Sequence, residues 1–399
     1  MYSAPITLPA GGLDQISNPL AMPDGYASRA ENVVISRDGV IMRRPGRTLI
    51  QPGHDFHSIA DTGHGLLIGK GSNLFRIAND PMAPEHIINL GTTGLIDFTS
   101  YNGHTYLTNG HGVWWMPASE HGARQCGVSL PDRLPAIAAH PDGALAPGMY
   151  AVALSVVDEH GEESPAAILG QIDLPAGGGI LLTGVDGSNL DLTYRVYLTP
   201  PDGDALYLSE SFSAAFSQYL VTRQPDGAIQ ATRDLERLPG GQFIRGMNGR
   251  LYVAAGDALW FSQAMRPHLC NRAHNYIRFV GGIRFIEPLM AGMMVADDRG
   301  VWLLEGADPT TATQRLISPA KAMAGSSIRV PATMTLRTQL PSAAVIWLSE
   351  DGYMVATDTG ETEALNQKRV RVQVDGRSKT VITEHQGTIQ LVTLIISSA

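Results

Sequence analysis

One pattern recurs through most of this chain and limits what it can become: a short apolar strand, a tight glycine turn, and a second short strand bearing an aromatic residue. Asn102-Gly103 separates DFTSY from HTYLTN, Asn248-Gly249 precedes RLYVAA, Arg299-Gly300 joins MMVADD to VWLLEG, and Asp351-Gly352 joins AVIWLSE to YMVATD. Asn-Gly and Asp-Gly supply the positive φ that two-residue hairpins demand. The aromatics follow the turns as Leu74-Phe75, Val113-Trp114, Leu259-Trp260, Val301-Trp302 and Gly352-Tyr353. Hairpins repeating at roughly 35–50 residues are what a β-propeller offers, although an array of β-sandwiches would give similar local features. No segment sustains a 3.6-residue apolar period, although short helices near Asp14–Asn18 or Ser209–Gln218 are compatible with the sequence. Glycine (43) and proline (25) are frequent enough among 399 residues to supply turns for many short strands.

The pattern breaks between about Leu130 and Arg237. Pro131, Pro135, Pro141 and Pro147 punctuate a linker, and then come the strand GMYAVALSVVD, the charged tip EHGEESP and the strands LTYRVYLTP and LYLSESF. Strands with turns every ~10 residues predict an immunoglobulin- or fibronectin-like sandwich inserted in a propeller loop. The expected architecture is therefore all-β: a propeller-like body over 1–130 and 238–399, with an inserted sandwich over 131–237.

Charge narrows the function. The chain carries 29 Lys and Arg against 38 Asp and Glu, a formal net charge of −9, which argues against a protein that grips nucleic acid by neutralising phosphates. At 17% charged and 44% hydrophobic residues it is not a disordered chain. Cys126 and Cys270 read as free buried thiols of a reducing compartment. The first residues, MYSAP, lack the basic and apolar regions of a secretion signal, and no apolar run approaches the ~20 residues of a membrane helix.

Catalytic signals are weak. Gly65–Gly71 (GLLIGKG) has only three residues between its first glycines and Gly after Lys70, so it reads as strand–turn–strand rather than a phosphate loop. His54, His57 and His64 complete no zinc spacing, and His104 and His111 read as exposed turn residues. Asp158, Glu159, Glu162 and Glu163 form the densest acidic cluster, but without calcium-loop spacing they read as a solvated hairpin tip. Ser326 and Ser327 have no identifiable base. The expectation is no enzyme, no cofactor and no metal. Two basic clusters stand out: Arg43, Arg44 and Arg47 near the start, and Lys368, Arg369, Arg371, Arg377 and Lys379 near the end. Taken alone, the first reads as a guarded strand edge and the second as a solvated face.

The order of several segments resembles a known family. Gly12–Pro19 (GLDQISNP), Asp24–Gly39 (DGYASRAENVVISRDG) and Met42–Gly46 (MRRPG) are similar to the start of tailed-bacteriophage nozzle and tail-hub proteins, also described as packaged-DNA stabilisation proteins. Pro147–Val157 with Gly161–Pro165 resembles that family's inserted sandwich. Met247–Gly256, Leu259–Ser262, Val301–Pro309 and Val345–Gly352 resemble its later hairpins. The resemblance implies a structural virion protein, made in the host bacterial cytoplasm and assembled into the phage tail or neck. Family members form a ring, typically of six copies, beneath the portal and adaptor or neighbouring tail proteins. They extend the channel that retains and ejects the genome, so double-stranded DNA would pass without tight binding. Arg43, Arg44, Arg47, Lys368, Arg369 and Arg371 then become candidate subunit contacts. The alternatives are a neck, tail-tip or receptor-binding protein of a long-tailed phage, a glycan-acting propeller enzyme, or a propeller scaffold for protein binding.

Overall fold

The computed structural model describes residues 9–36, 39–44, 46, 49, 52–77, 83–187, 190–331, 343–366, 369–385 and 388–396. Among these every regular element is a strand. The two short helices compatible with the sequence do not form. Asp14 instead caps a turn through the Ile16 and Ser17 amides (3.1 and 2.9 Å). Most of the 209–218 segment belongs to the strand Tyr207–Ser213 and the start of Gln218–Val221.

Five four-stranded antiparallel sheets make the body, each folded from a continuous stretch. Blade 1 holds Phe56–Thr62, Gly65–Lys70, Asn73–Ile77 and Glu85–Asn89. Blade 2 holds Asp97–Tyr101, His104–Thr108, Val113–Met116 and Arg124–Gln125. Blade 3 holds Phe243–Met247, Arg250–Ala255, Ala258–Phe261 and Tyr276–Arg278. Blade 4 holds Phe285–Leu289, Gly292–Asp297, Gly300–Glu305 and Thr313–Ser318, and blade 5 holds Ile328–Val330, Ala344–Ser349, Gly352–Thr357 and Thr362–Ala364.

The first strands of blades 1 to 4 touch in succession, and blade 4 then meets blade 5 at Ala344–Ser349, which is the radial order of a propeller. The five aromatics read from the sequence, Phe75, Trp114, Trp260, Trp302 and Tyr353, all lie on the third strand of successive blades. The Asn102-Gly103 and Asn248-Gly249 turns have the anticipated positive φ at both positions (51° and 80°, 50° and 76°). Gly65–Gly71 is a strand entering a turn, as expected.

Between blades 2 and 3 the chain builds a two-sheet sandwich. One sheet has the order Ala167–Leu174, Gly148–Val157, Thr193–Leu198, Tyr207–Ser213; the other has Ala136–Leu145, Gly178–Thr183, Gln218–Val221. Alternate residues of the long central strand, Tyr150, Val152, Leu154 and Val156, face Ile180, Leu182 and Val221 in a common core. That alternation is what a half-buried strand requires.

After blade 5 a long hairpin, Arg377–His385 with Thr388–Ile396, returns to the body. Ser378 donates its amide to the Ala324 carbonyl (2.7 Å), and Ile382 and Leu391 pack on blade 5. Both cysteines are buried, free, and share one core cluster with Trp115 and Val253.

Candidate functional site

Three arrangements place chemistry-bearing side chains together. The first lies along the inner strands. Asp97 opens the inner strand of blade 2, Arg245 is the third residue of that of blade 3, and Glu287 is the third of that of blade 4. Inner-strand adjacency therefore brings together residues far apart in sequence. Arg245 Nη1 donates to Asp97 Oδ2 (2.6 Å), while Nε and Nη2 fork onto the two oxygens of Glu287 (3.0 and 2.7 Å). The Ile244 amide donates to Asp97 (3.0 Å), the Ser327 hydroxyl donates to Glu287 (2.8 Å), and Lys379 from the terminal hairpin reaches Asp97 at 3.5 Å.

Asp97 and Glu287 are both buried. Burial opposes ionisation of Asp97, but Arg245, Lys379 and the Ile244 amide outweigh it and hold its carboxyl below the ordinary range. Burial likewise disfavours the Arg245 charge, and the two carboxylates more than restore it. Ser327 thus does meet a carboxylate, but one already held bidentately by arginine, and the serine itself is buried. The network links blades 2 to 4, the Ser327 segment and the terminal hairpin. Its geometry is that of a cross-tie.

The second arrangement is the seam where the first and last described segments meet. Arg369 donates to Asp14 Oδ2 (2.6 Å), lies over the Tyr26 ring (4.5 Å), and accepts the Gln15 amide at its carbonyl (2.9 Å). Asp14 is lowered to about 2, chiefly by the Ser17 amide. A cavity of about 290 Å³ opens here, lined by Gly11, Tyr26, Tyr353, Arg369 and Leu391 among others. Of the predicted contact residues, Arg43 is exposed at the end of Ile41–Arg43, and Arg44 is half-buried and bonds Asn32 through its amide. Arg371 is exposed, whereas Arg369 is engaged within its own chain. Arg47 and Lys368 lie outside the described residues. The solvated-face reading of the late basic cluster fails at Arg377, which is half-buried over the Phe243 ring (5.3 Å), whereas Lys379 stays exposed while its ammonium reaches Asp97 at 3.5 Å. The hairpin's return to the inner strands brings both residues there.

The third arrangement is the joint between sandwich and body, and it overturns the solvated-tip reading for Glu162 and Glu163, while Glu159 stays exposed. Glu162 and Glu163 are buried (8% and 9% exposed) because the loop folds back onto blade 2 and the segment around His268. Glu162 accepts the Gly127 amide (2.8 Å); Glu163 accepts the Ser155 and Tyr197 hydroxyls (both 2.6 Å) and is paired with Arg195 (2.9 Å). Burial pushes Glu162 up to about 7, against the Gly127 amide, the Cys126 thiol and the Arg124 charge, which lower it. His104 is also not a free turn residue: it stands edge-on to Trp115 (5.2 Å) and accepts the Ala118 amide. His111 is exposed, as anticipated. No group of three or more His, Cys, Asp or Glu side chains with metal-binding geometry occurs among the described residues.

The sequence drew attention to Lys379, Arg369 and the 158–163 cluster, but gave no signal for Asp97, Arg245, Glu287, Asp14 or His268. Their roles come from pairings between distant strands, and only a correct blade alignment, placing all inner strands side by side, would have revealed them.

The class defined by this architecture is an all-β protein with a propeller-like body. No protein-family model matches the chain, and no curated protein sequence matches it. Solved structures with similarity to it include the Neurospora crassa Pan2 WD40 domain, 10% identical over 82% of both chains with a TM-score of 0.33. Others are apo AztD from Citrobacter koseri (11% identity, 86% of this chain and 90% of that one, TM-score 0.28) and Saccharomyces cerevisiae Sqt1 (10%, 77% and 94%, TM-score 0.21).

Proposed function

We propose that this chain is a structural, non-enzymatic virion protein of a tailed phage: a ring-forming nozzle or tail-hub component that extends the DNA channel and helps retain and eject the genome. The observation that carries the reading is the contrast between interior and terminal hairpins. The buried carboxylates Asp97, Glu163 and Glu287 are each committed to an arginine, which suits a rigid frame better than an acid–base pair. By contrast, the N-terminal hairpin of Val33–Ile35 with Ile41–Arg43 and the C-terminal hairpin leave Val40, Ile41, Leu394 and Ile395 about half exposed or more. Apolar exposure of that kind suits a contact between copies. Arg43 and Arg44 sit beside it, and Arg371 lies near the opposite terminus.

We read the sandwich as immunoglobulin-like. Its four-stranded sheet pairs strands in the order of the variable-type G-F-C-C′ sheet, and Ala136–Leu145 beside Gly178–Thr183 corresponds to the B–E pair. A net charge of −9 per copy, repeated around a ring, gives an overall field that repels phosphates and lets DNA slide. Reversing Arg43 and Arg44 to glutamate tests the reading: it should reduce assembly of the ring and of infectious particles, and unchanged assembly refutes the assignment of those residues as contacts.

A further inference from the structure

At the sandwich joint, His268 Nε2 lies 3.0 Å from the Glu163 carbonyl oxygen. A carbonyl only accepts, so Nε2 carries hydrogen, and Nδ1 of the neutral ring is a bare lone pair. That Nδ1 has no hydrogen-bond partner and faces Glu162 Oε1 at 3.5 Å, with both side chains more than nine-tenths buried. Two acceptors facing one another out of water are unfavourable unless a proton lies between them.

Neighbouring groups do not remove that need. From blade 2, Arg124 is bound to Glu120 and Glu159; the Cys126 thiol, kept neutral because burial pushes it well up, donates to Glu162 Oε1 at 3.8 Å but offers Nδ1 nothing; and burial also raises Tyr106. From the loop itself, Glu163 is held by Arg195, and Asp158 adds negative charge. From the segment beyond the sandwich, Arg237 donates to the Gly127 carbonyl (2.5 Å), and Arg266 opposes a charge on His268.

We infer that the joint between sandwich and propeller body is closed by one proton shared between Glu162 and His268, and that losing it or adding a second loosens the joint. The inference is independent of the proposed function. When the joint opens to water, the ordinary values of 4.5 and 6.5 return. The open pair then holds two protons below 4.5, one between 4.5 and 6.5, and none above. The closed joint holds one. Opening is therefore independent of pH between those values, because opening neither takes up nor releases a proton there.

Removing either partner creates a slope. In Glu162→Gln the amide donates to Nδ1 permanently, the closed joint holds no proton, and opening rises about fivefold from pH 6.5 to 5.5 as the freed histidine charges. In His268→Gln the buried Glu162 must stay protonated, so opening rises with pH instead, about tenfold across the same unit. Hydrogen exchange of segments 126–129 and 158–165, followed by mass spectrometry and corrected for intrinsic rates, reads the opening directly. A flat wild type between pH 5.5 and 6.5 flanked by variants of opposite slope is expected. A wild type that changes tenfold across this interval overturns the inference, as does either variant keeping the wild-type profile, so one folded variant suffices.

Discussion

At the scale of single residues, the strongest determinant is Arg245. It satisfies two buried carboxylates from two other blades, and Lys379 compensates only one of them, from 3.5 Å. Replacing it with Met leaves Glu287 without its cation, so Arg245→Met should cost about 3–5 kcal/mol in chemical denaturation. Neutralising all three members together (Asp97→Asn, Arg245→Met, Glu287→Gln) should cost far less than that single change. Asp97 also fixes an acid limit. Its folded pKa lies below its unfolded value of 3.8, so the stability it contributes is present above that value and is lost as pH falls through the folded one. Thermal stability should fall steeply below about pH 4, and Asp97→Asn should flatten that part of the profile.

At the scale of elements, close approach of neighbouring blades decides the packing. Gly246, on the inner strand of blade 3, lies under the Tyr101 ring of blade 2; a Cβ there would stand 2.1 Å from Tyr101 Cγ. The same tyrosine accepts the Gly249 amide (2.5 Å). Gly246→Ala should therefore cost about 1–3 kcal/mol by overpacking. Combining it with Tyr101→Ala should give less than the sum of the two losses, which a double-mutant cycle measures.

Elements were the most legible level in the sequence, because turns and strand faces are local. Asn102-Gly103 declared a hairpin, and Phe75, Trp114, Trp260, Trp302 and Tyr353 marked the third strand of every blade. Within the charged tip, Glu162 and Glu163 were misread because nothing local distinguishes a solvated loop from one that folds back. What buries Glu162 is Gly127, 35 residues earlier, and the His268 segment beyond the whole sandwich. The terminal seam was half legible: Arg369 stood out as a basic residue, but its partner Asp14 lies 355 residues away.

At the scale of the whole molecule, the Asp97–Arg245–Glu287 network ties blades 2 to 4, Arg369 joins the chain's two ends, and the C-terminal hairpin packs on blade 5. The sandwich is attached through a joint whose opening the Glu162–His268 pair controls. In the proposed function this body, acidic overall and with apolar residues exposed on both terminal hairpins, assembles with copies of itself around a conduit. The most direct test is the mass of the assembled species by light scattering, alone and with Arg43 and Arg44 reversed to glutamate. A closed assembly of several 42.7 kDa copies, shifting toward smaller species in the reversed variant, is expected. A stable monomer with turnover on a sugar substrate, and no change on charge reversal, would contradict it.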